Sequence, residues 1–261
     1  RMLFLLPPSE TKCQGGSGLS IQQVALTFGA LNPAREAVYE ALVQVCQSSP
    51  ESAARVLKLG AKQLDDIAAN LEVQDAPVMP ALLRYTGTLY DAIHDRGLKG
   101  SGTENNQLPR EAIARAKETV LIQSSLFGLI PSTDLIPYYR LSATTSLPGL
   151  SLKQVWSDAH TAVWKRLEQG PIIDMRSKQY AALAPIPDSI EHYELDVVLE
   201  KADGSREQLN HFNKKAKGML INSVLTAKNL PQTIADLRKC AKRKGMSLER
   251  SGKQLTLVTY A

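Results

Sequence analysis

The segment Pro-Pro-Ser-Glu-Thr-Lys, at residues 7–12, brings a carboxylate, an amine and two hydroxyl groups together within four consecutive residues. Glu10 is a candidate general base, or the partner that positions Lys12, because a carboxylate can both exchange a proton and hold a cation. Lys12 is a candidate phosphate ligand. The alternative is an ordinary surface loop in which the two charges form an exposed ion pair.

Charged and aromatic residues further along the chain could complete such a site. Asp134 is the second candidate acid–base carboxylate, and its alternative role is to cap a turn. The run Tyr138-Tyr139-Arg140 lies beside two prolines. Such a run could stack on a base and pair with a phosphate, or it could supply packing and a surface charge.

Three lysines lie near the predicted start of a helix, at positions 214, 215 and 217. Cations there oppose the helix dipole, and an unfavourable local choice is typical of a functional site. The alternative is a solvated helix face whose other side packs on the core. The candidate cationic ligands for a phosphate or nucleic acid are Lys12, Arg140, Arg176, Lys214, Lys215 and Lys217. The candidate ligand contacts are Ser9, Tyr85, Tyr90, Ser124, Tyr138, Ser177 and Tyr180.

No metal or cofactor is expected, because the four histidines show no ligand spacing. The three cysteines lie far apart and form no Cys-x-x-Cys pattern, which is typical of a reducing compartment. No apolar stretch approaches the roughly 18 residues of a membrane helix, and the start does not resemble a signal peptide. We therefore expect a cytosolic protein without a membrane partner.

Three short apolar runs must position these residues. Leu3–Leu6 reads as a buried strand that ends at two prolines, which cannot continue a sheet ladder. Glu118–Ser125 reads as a second core strand, and Pro171–Tyr180 as a third with a polar end. Because the carboxyl ends of parallel strands meet at one edge of a sheet, we expect the polar segments PPSETK, SSLFGL and RSKQY to line a single cleft there, together with NKKAKG at the start of a helix.

The remaining pattern interleaves helices and strands. Helical periodicity follows residue 21, and two hairpins are predicted, one with its turn at Ala202–Ser205 and one at Ser251-Gly252. The fold class is therefore α/β. We expect one compact mixed domain over residues 1–261, with a central sheet flanked by helices and a basic cleft.

Charge is distributed unevenly along the chain. Residues 201–261 contain 13 Lys or Arg and 4 Asp or Glu, a net charge of +9, whereas residues 1–200 carry a net charge of −4. A localised basic segment on a mildly acidic body indicates an anion-binding surface, with a polyanion or a phosphate-bearing molecule as partner. The alternative is that these charges only solvate helix faces.

Five motifs occur in order across nearly the whole chain: LLPPSETK, YTGTLYDAI at Tyr85–Ile93, SSLFGLIPSTDLIPYYRL at Ser124–Leu141, IIDMRSKQY at Ile172–Tyr180, and HFNKKAKG at His211–Gly218. Together they resemble the YaaA family, also known as DUF328 or UPF0246. The resemblance implies a soluble bacterial protein linked to peroxide resistance and to limiting free iron. It also implies a single family-specific α/β fold with a positively charged cleft and affinity for DNA.

The resemblance further implies a helix-hairpin-helix element, which would fall near residues 51–73. Such an element offers backbone N–H groups to a DNA phosphate. This chain departs from the family pattern at two places. It has Ile130-Pro131-Ser132-Thr133-Asp134 where relatives often have Leu-Arg-Pro-x-Asp, and Arg176 where a small residue is commoner.

Two functions follow from these residues. The first is a DNA-binding stress protein that holds duplex or distorted DNA by its phosphates. The second is an enzyme acting on a nucleotide or nucleoside-like substrate, with Glu10 and Asp134 as acid–base groups and Arg140, Lys214 and Lys215 holding a phosphate.

Overall fold

Continuous apolar runs place the central strands in the interior of the protein. The computed structural model describes residues 1–96, 108–208 and 210–261. In it, the strands Leu3–Leu6, Val120–Ser124 and Ile172–Asp174 are buried along nearly their whole length. Strands buried on both faces are typical of a parallel sheet covered by helices.

The elements are named in chain order. The strands are β1 (Leu3–Leu6), β2 (Met79–Pro80), β3 (Val120–Ser124), β4 (Gly128–Pro131), β5 (Leu135–Ile136), β6 (Ile172–Asp174), β7 (His192–Glu200), β8 (Arg206–Glu207), β9 (Ser247–Ser251) and β10 (Gln254–Tyr260). The helices are α1 (Asn32–Gln47), α2 (Pro50–Leu57), α3 (Asp65–Leu71), α4 (Ala81–Arg84), α5 (Thr88–Ile93), α6 (Arg110–Thr119), α7 (Leu152–Ala159), α8 (Thr161–Trp164), α9 (Lys178–Ala181), α10 (Asn210–Thr226) and α11 (Ile234–Arg243).

The main sheet is mixed and has eight strands. Seven follow the order β4-β3-β1-β6-β7-β10-β9, and β8 pairs with β7. The five strands from β3 to β10 in this order run parallel to one another, whereas the edge strands β4 and β9 run antiparallel to their neighbours. In the register, Leu5 faces Leu121 on one side and Asp174 on the other. The prediction that three core strands end at one edge of a single sheet is therefore confirmed.

Both predicted hairpins form. The β7–β8 pair encloses the turn at residues 201–205, and the β9–β10 pair turns at Ser251-Gly252. The region around residues 51–73 forms α2 and α3, two short helices joined by residues 58–64.

Helices cover the sheet in two groups. In one, α1 packs against α2, α3 and α7; in the other, α10 packs against α5, α6, α11 and β7. Gly218 allows the close approach of α10 and α5, because a Cβ at this position would lie only 2.2 Å from the carbonyl oxygen of Leu89. Across the described ranges, no helix combines the length and the apolar character needed to cross a lipid bilayer.

Candidate functional site

The loop that follows β1 is held in place by its neighbours. Its backbone pairs with the chain after α4, through a bridge between Lys12 and Tyr85 and a bond from the Thr86 N–H to the Thr11 carbonyl at 3.1 Å. At the start of the loop, the Tyr90 hydroxyl donates to the carbonyl of Pro7 at 2.7 Å. The two prolines end the strand, and these bonds then fix the direction in which the chain leaves the sheet.

Gly87 makes this contact possible. Its φ of 101° lies in a region that favours glycine, and a Cβ would stand 3.0 Å from the Thr11 hydroxyl and 3.3 Å from the Ser9 hydroxyl. Ser9 and Thr11 themselves share a hydrogen bond of 3.1 Å. The YTGTLYDAI segment therefore acts as a platform for the loop that carries Glu10 and Lys12.

Arg84 ties the same loop to a more distant part of the chain. Its fully buried guanidinium donates to the carbonyls of Cys13 at 2.8 Å, Pro77 at 3.0 Å and Ile136 at 3.0 Å. Burial lowers the pKa of Arg84. Arg84 thus joins the backbone at Cys13, just after Lys12, to the backbone at Ile136, shortly before Tyr139.

Lys12 ends over two aromatic rings. Its Nζ lies 4.5 Å from the centre of the Tyr139 ring and 5.8 Å from that of Tyr85, within the range of a cation–π interaction. Nζ also donates to the backbone oxygen of Glu10 at 3.3 Å. Burial lowers the pKa of Lys12 to about 7, and the positive charge of Arg140 contributes to this shift.

A chain of buried hydroxyl groups supports these rings. The Tyr85 and Tyr139 hydroxyls lie 2.6 Å apart, and the Ser124 hydroxyl lies 2.8 Å from that of Tyr139. Ser124 also accepts hydrogen bonds from the N–H groups of Leu126 and Phe127. Burial raises the pKa of both tyrosines, so both stay protonated and neutral near pH 7.

A small pocket of about 10 Å³, with room for about one water molecule, opens above this group. It is lined by Pro8, Ser9, Glu10, Lys12, Tyr139, Arg140, Leu141, Ser142 and Tyr180. Two of the polar segments predicted at strand ends therefore contribute to this pocket, the loop after β1 and, through Tyr180, the segment after β6. The segment after β3 does not line it, and its place is taken by residues 139–142 after β5. Burial raises the pKa of Tyr180 to about 12, and the nearby Glu10 carboxylate adds to the effect.

Arg140 is positioned by α3. The Asn70 side chain accepts from the Arg140 N–H at 2.8 Å and donates to the Arg140 carbonyl at 2.9 Å. One turn earlier, Asp66 accepts a hydrogen bond of 2.6 Å from Tyr138. Burial and this carboxylate raise the pKa of Tyr138 to about 12. The backbone of Arg140 is thus fixed on both sides, while Tyr138 is engaged by α3 and does not line the pocket.

Arg176 and Asp134 lie outside this group. The Arg176 guanidinium is completely buried and pairs with Asp174 at 2.8 Å, and it also donates to Gln123 and Ala184. The Asp134 carboxylate accepts from the N–H and the hydroxyl of Thr27, both at 2.8 Å. Burial raises the pKa of Asp134. Because these partners already occupy both side chains, we remove Arg176 from the proposed phosphate ligands and Asp134 from the proposed acid–base pair.

The lysines of α10 do not reach the pocket either. Lys217 is buried and donates to the carbonyl of Met175 at 3.0 Å, and burial lowers its pKa. Lys214 is exposed on the same helix. Lys215 lines a separate groove of about 180 Å³ with Lys244 and Tyr260, beside the carboxyl ends of β7 and β10. The structure therefore places Glu10 and Lys215 in two different depressions.

Of the remaining candidates, Ser177 directly precedes α9 without lining the pocket. Tyr85, Tyr90 and Ser124 are buried beneath it.

The residues proposed from the sequence did not include Tyr139, whose ring lies directly under the Lys12 amine. The Tyr-Tyr-Arg run was the available signal, but it does not reveal which of the two rings faces Lys12. Across the part of the chain that the structure describes, no cluster of three or more His, Cys, Asp or Glu side chains is arranged to hold a metal ion.

Comparison with known proteins identifies the family to which the chain belongs. A family model described as "Peroxide stress protein YaaA" matches residues 2–251. The chain belongs to the YaaA family. It is 35% identical to a UPF0246 protein of Corynebacterium efficiens, over 98% of this chain and 99% of that protein. A UPF0246 protein of Corynebacterium glutamicum is 33% identical over 98% and 100%, and one of Streptomyces coelicolor is 34% identical over 95% and 92%. The resemblance inferred from five motifs is thus confirmed, and the YaaA match includes every residue of the pocket.

Proposed function

We propose that this protein serves peroxide-stress protection by binding DNA through its phosphates, with one phosphate held between Lys12 and Arg140. The observation that carries the proposal is that two basic side chains, Lys12 and Arg140, line one pocket together with Glu10. Among the described residues, no ion pair includes either side chain. Two like charges placed together raise the free energy of the site, and a bound phosphate would relieve this by accepting hydrogen bonds from both.

The distribution of basic residues supports a contact wider than the pocket. The segment 201–261, with its net charge of +9, forms the part of the protein around α10, α11 and β9. The groove of Lys215 and Lys244 lies there, next to the half-exposed ring of Tyr260. This groove and the pocket both lie at the carboxyl ends of the parallel strands, so a nucleic-acid backbone could follow that edge of the sheet.

The α2–α3 segment is the third proposed contact. Its place in the chain is where the YaaA resemblance implies a helix-hairpin-helix element, and α3 holds the backbone of Arg140 through Asn70. DNA bound along α2 and α3 would therefore lie beside the Arg140 side chain. The three free cysteines agree with the proposed cytosolic location of such a protein.

A salt series tests phosphate binding directly. Fluorescence anisotropy of labelled duplex and single-stranded oligonucleotides would give the dissociation constant at several NaCl concentrations. We expect affinity to fall roughly tenfold or more for a few-fold rise in salt, because each contacted phosphate releases counterions. A flat salt response, or no binding at low salt, would contradict the proposal.

Single substitutions then test which lysines and arginines touch phosphate. We expect Arg140→Ala and Lys215→Ala each to weaken binding modestly and to reduce the salt slope by about one unit. Lys153→Ala is the matched control, because Lys153 is exposed on α7 outside the pocket and the groove. Equal losses in all three variants would indicate a general charge effect and would exclude a specific phosphate contact at Arg140.

A second candidate function is favoured by the presence of Glu10 in the same pocket. A carboxylate, an amine and a guanidinium that line one pocket are the side-chain types that acid–base chemistry on a nucleotide-like substrate would use. Glu10→Gln separates the two. In a DNA-binding site the change should leave affinity unchanged or improve it, whereas in an enzyme it should abolish turnover while ligand binding survives.

A further inference from the structure

The groove that contains Lys215 and Lys244 is much larger than the pocket of Lys12. It has a volume of about 180 Å³ and lies where the parallel strands β7 and β10 end, the edge at which open α/β sheets bind their ligands. The helix α10 and the residues that follow α11 form its other walls. The groove therefore has room for a small organic ring, whereas the pocket has room for about one water molecule.

Tyr260 supplies an aromatic surface in this groove. Its side chain is 52% exposed, and among the described residues it is the one aromatic side chain that the fold leaves mostly open to solvent. The Tyr260 hydroxyl lies 2.7 Å from the hydroxyl of Ser247, and this hydrogen bond holds the ring in position. A ring that is already held in position loses little conformational freedom when another aromatic ring stacks on it.

Apolar side chains form much of the remaining surface of the groove. Ala216 and Met246 are buried there, and Met219 is half-buried. Methionine adapts to the shape of a ligand and makes favourable contacts with aromatic rings through its polarizable sulfur atom. These contacts suit a flat aromatic molecule that stacks on Tyr260.

Two lysines give the groove a positive charge. Lys215 belongs to α10 and Lys244 follows α11, so separate elements position the two amines. Among the described residues, neither lysine forms an ion pair and no Asp or Glu lines the groove. An aromatic surface next to cations is the combination by which proteins bind the bases and phosphates of unpaired nucleotides.

We infer that this groove binds one unpaired nucleotide, with the base stacked on Tyr260 and the phosphate held by Lys215 and Lys244. The inference rests on the proposed DNA binding and names the form of DNA that the groove would take. Neighbouring bases cover both faces of a base inside a duplex, so only an unstacked base can lie against Tyr260. A free nucleotide carries the same two groups, and the experiment therefore presents both sources.

Photo-crosslinking of the wild-type protein tests where the base lies. A duplex with one unpaired 5-iodouracil would be compared with a duplex in which the same base is paired, and with 5-iodouridine 5′-monophosphate as the free nucleotide. Irradiation joins 5-iodouracil to an aromatic side chain on which it stacks, and peptide mapping by mass spectrometry locates the bond. We expect the unpaired base to crosslink to Tyr260 at least tenfold more efficiently than the paired base.

Matched variants test the contribution of the ring. We expect Tyr260→Leu to lower the affinity for the duplex with the unpaired base at least about fivefold, because stacking on an aromatic side chain contributes that much or more for each base. The affinity for the fully paired duplex should not change. Tyr260→Phe keeps the ring and should retain most of the affinity for the unpaired base. Lys244→Ala should weaken this binding as well, whereas Lys153→Ala should not.

The outcomes separate this inference from the proposed function. Salt-dependent binding with equal affinity for the two duplexes, and without a crosslink at Tyr260, would overturn the nucleotide site and leave phosphate binding standing. A crosslink between Tyr260 and the free nucleotide, without binding of either duplex, would support the groove as a nucleotide site and overturn the proposed DNA binding. A crosslink to the unpaired base in the duplex would support DNA as the source. Absence of both binding and crosslinking would overturn both proposals.

Discussion

Lys12 is held among tyrosine rings where burial opposes its charged form. Its folded pKa of about 7 lies below the ordinary value near 10.4. Between these two values the unfolded chain binds more protons, so this residue makes stability rise with pH across that interval. Below pH 7 both states are protonated, and the full cost of burying the charged amine is present.

The substitution Lys12→Met should therefore stabilise the protein, most strongly at low pH. We expect an increase in the free energy of unfolding of about 1–3 kcal/mol at pH 6, shrinking toward zero near pH 10. Urea unfolding at the two pH values measures this difference. A variant that is less stable than the wild type at pH 6 would show that the cation–π contacts outweigh desolvation.

Arg176 illustrates the opposite case, a buried cation that is fully paired. Replacing it with Met would leave the Asp174 carboxylate buried without its partner, and we expect a loss of about 3–5 kcal/mol. Arg206→Ala is the matched control, since Arg206 pairs with Glu200 and Glu249 on an exposed surface and should cost no more than about 1 kcal/mol. Equal losses in chemical denaturation would contradict the structural role assigned to the buried pair.

At the scale of elements, the contact between α10 and α5 depends on a single glycine. We expect Gly218→Ala to separate the two helices and to destabilise the protein by about 1–3 kcal/mol or more, because the Leu89 carbonyl belongs to a helix backbone and cannot move alone. Thermal unfolding of this variant can be compared with that of Gly29→Ala, where the nearest atom is 3.7 Å from the added Cβ. Unfolding midpoints that match would mean that the helices adjust freely.

The strands and the edge at which they end could be predicted because apolar runs and prolines act locally. The β1 strand followed from four apolar residues and two prolines, and the parallel arrangement followed from interleaved helices. The identity of the ring under Lys12 could not be predicted, since Tyr138 and Tyr139 are equivalent in composition and only the position of α3 directs the first toward Asp66. The sequence also does not show that Asp174 pairs with Arg176, two residues later. This ion pair removes Arg176 from the candidate phosphate ligands.

At the scale of the whole molecule, charge is separated along the chain. A body with a net charge of −4 and a terminal segment with +9 should orient the protein as it approaches a polyanion, because long-range fields act before contact. Such steering raises the association rate constant more than it raises the equilibrium affinity.

The corresponding prediction concerns α11, whose Lys239 and Lys242 are exposed. Replacing both with Gln should slow association with DNA severalfold at low salt, because the two charges contribute to the long-range attraction. Stopped-flow anisotropy measures the rate. Lys153→Gln combined with Lys165→Gln removes the same charge from the acidic body and should have little effect. Equal slowing by both pairs would indicate that only net charge matters.

The sheet register has a consequence for how the chain acquires its structure. Leu5 pairs with Leu121 and Asp174, and Leu257 lies between Val197 and Leu248. The first strand, β1, therefore pairs only with strands that lie more than a hundred residues later in the chain. The last strand, β10, inserts between β7 and β9. Pairings this distant in sequence slow folding, because large loops must close before their contacts are gained. During synthesis the loop that carries Lys12 emerges early, yet it has no pocket to line until the segment around Tyr139 and Tyr180 has left the ribosome.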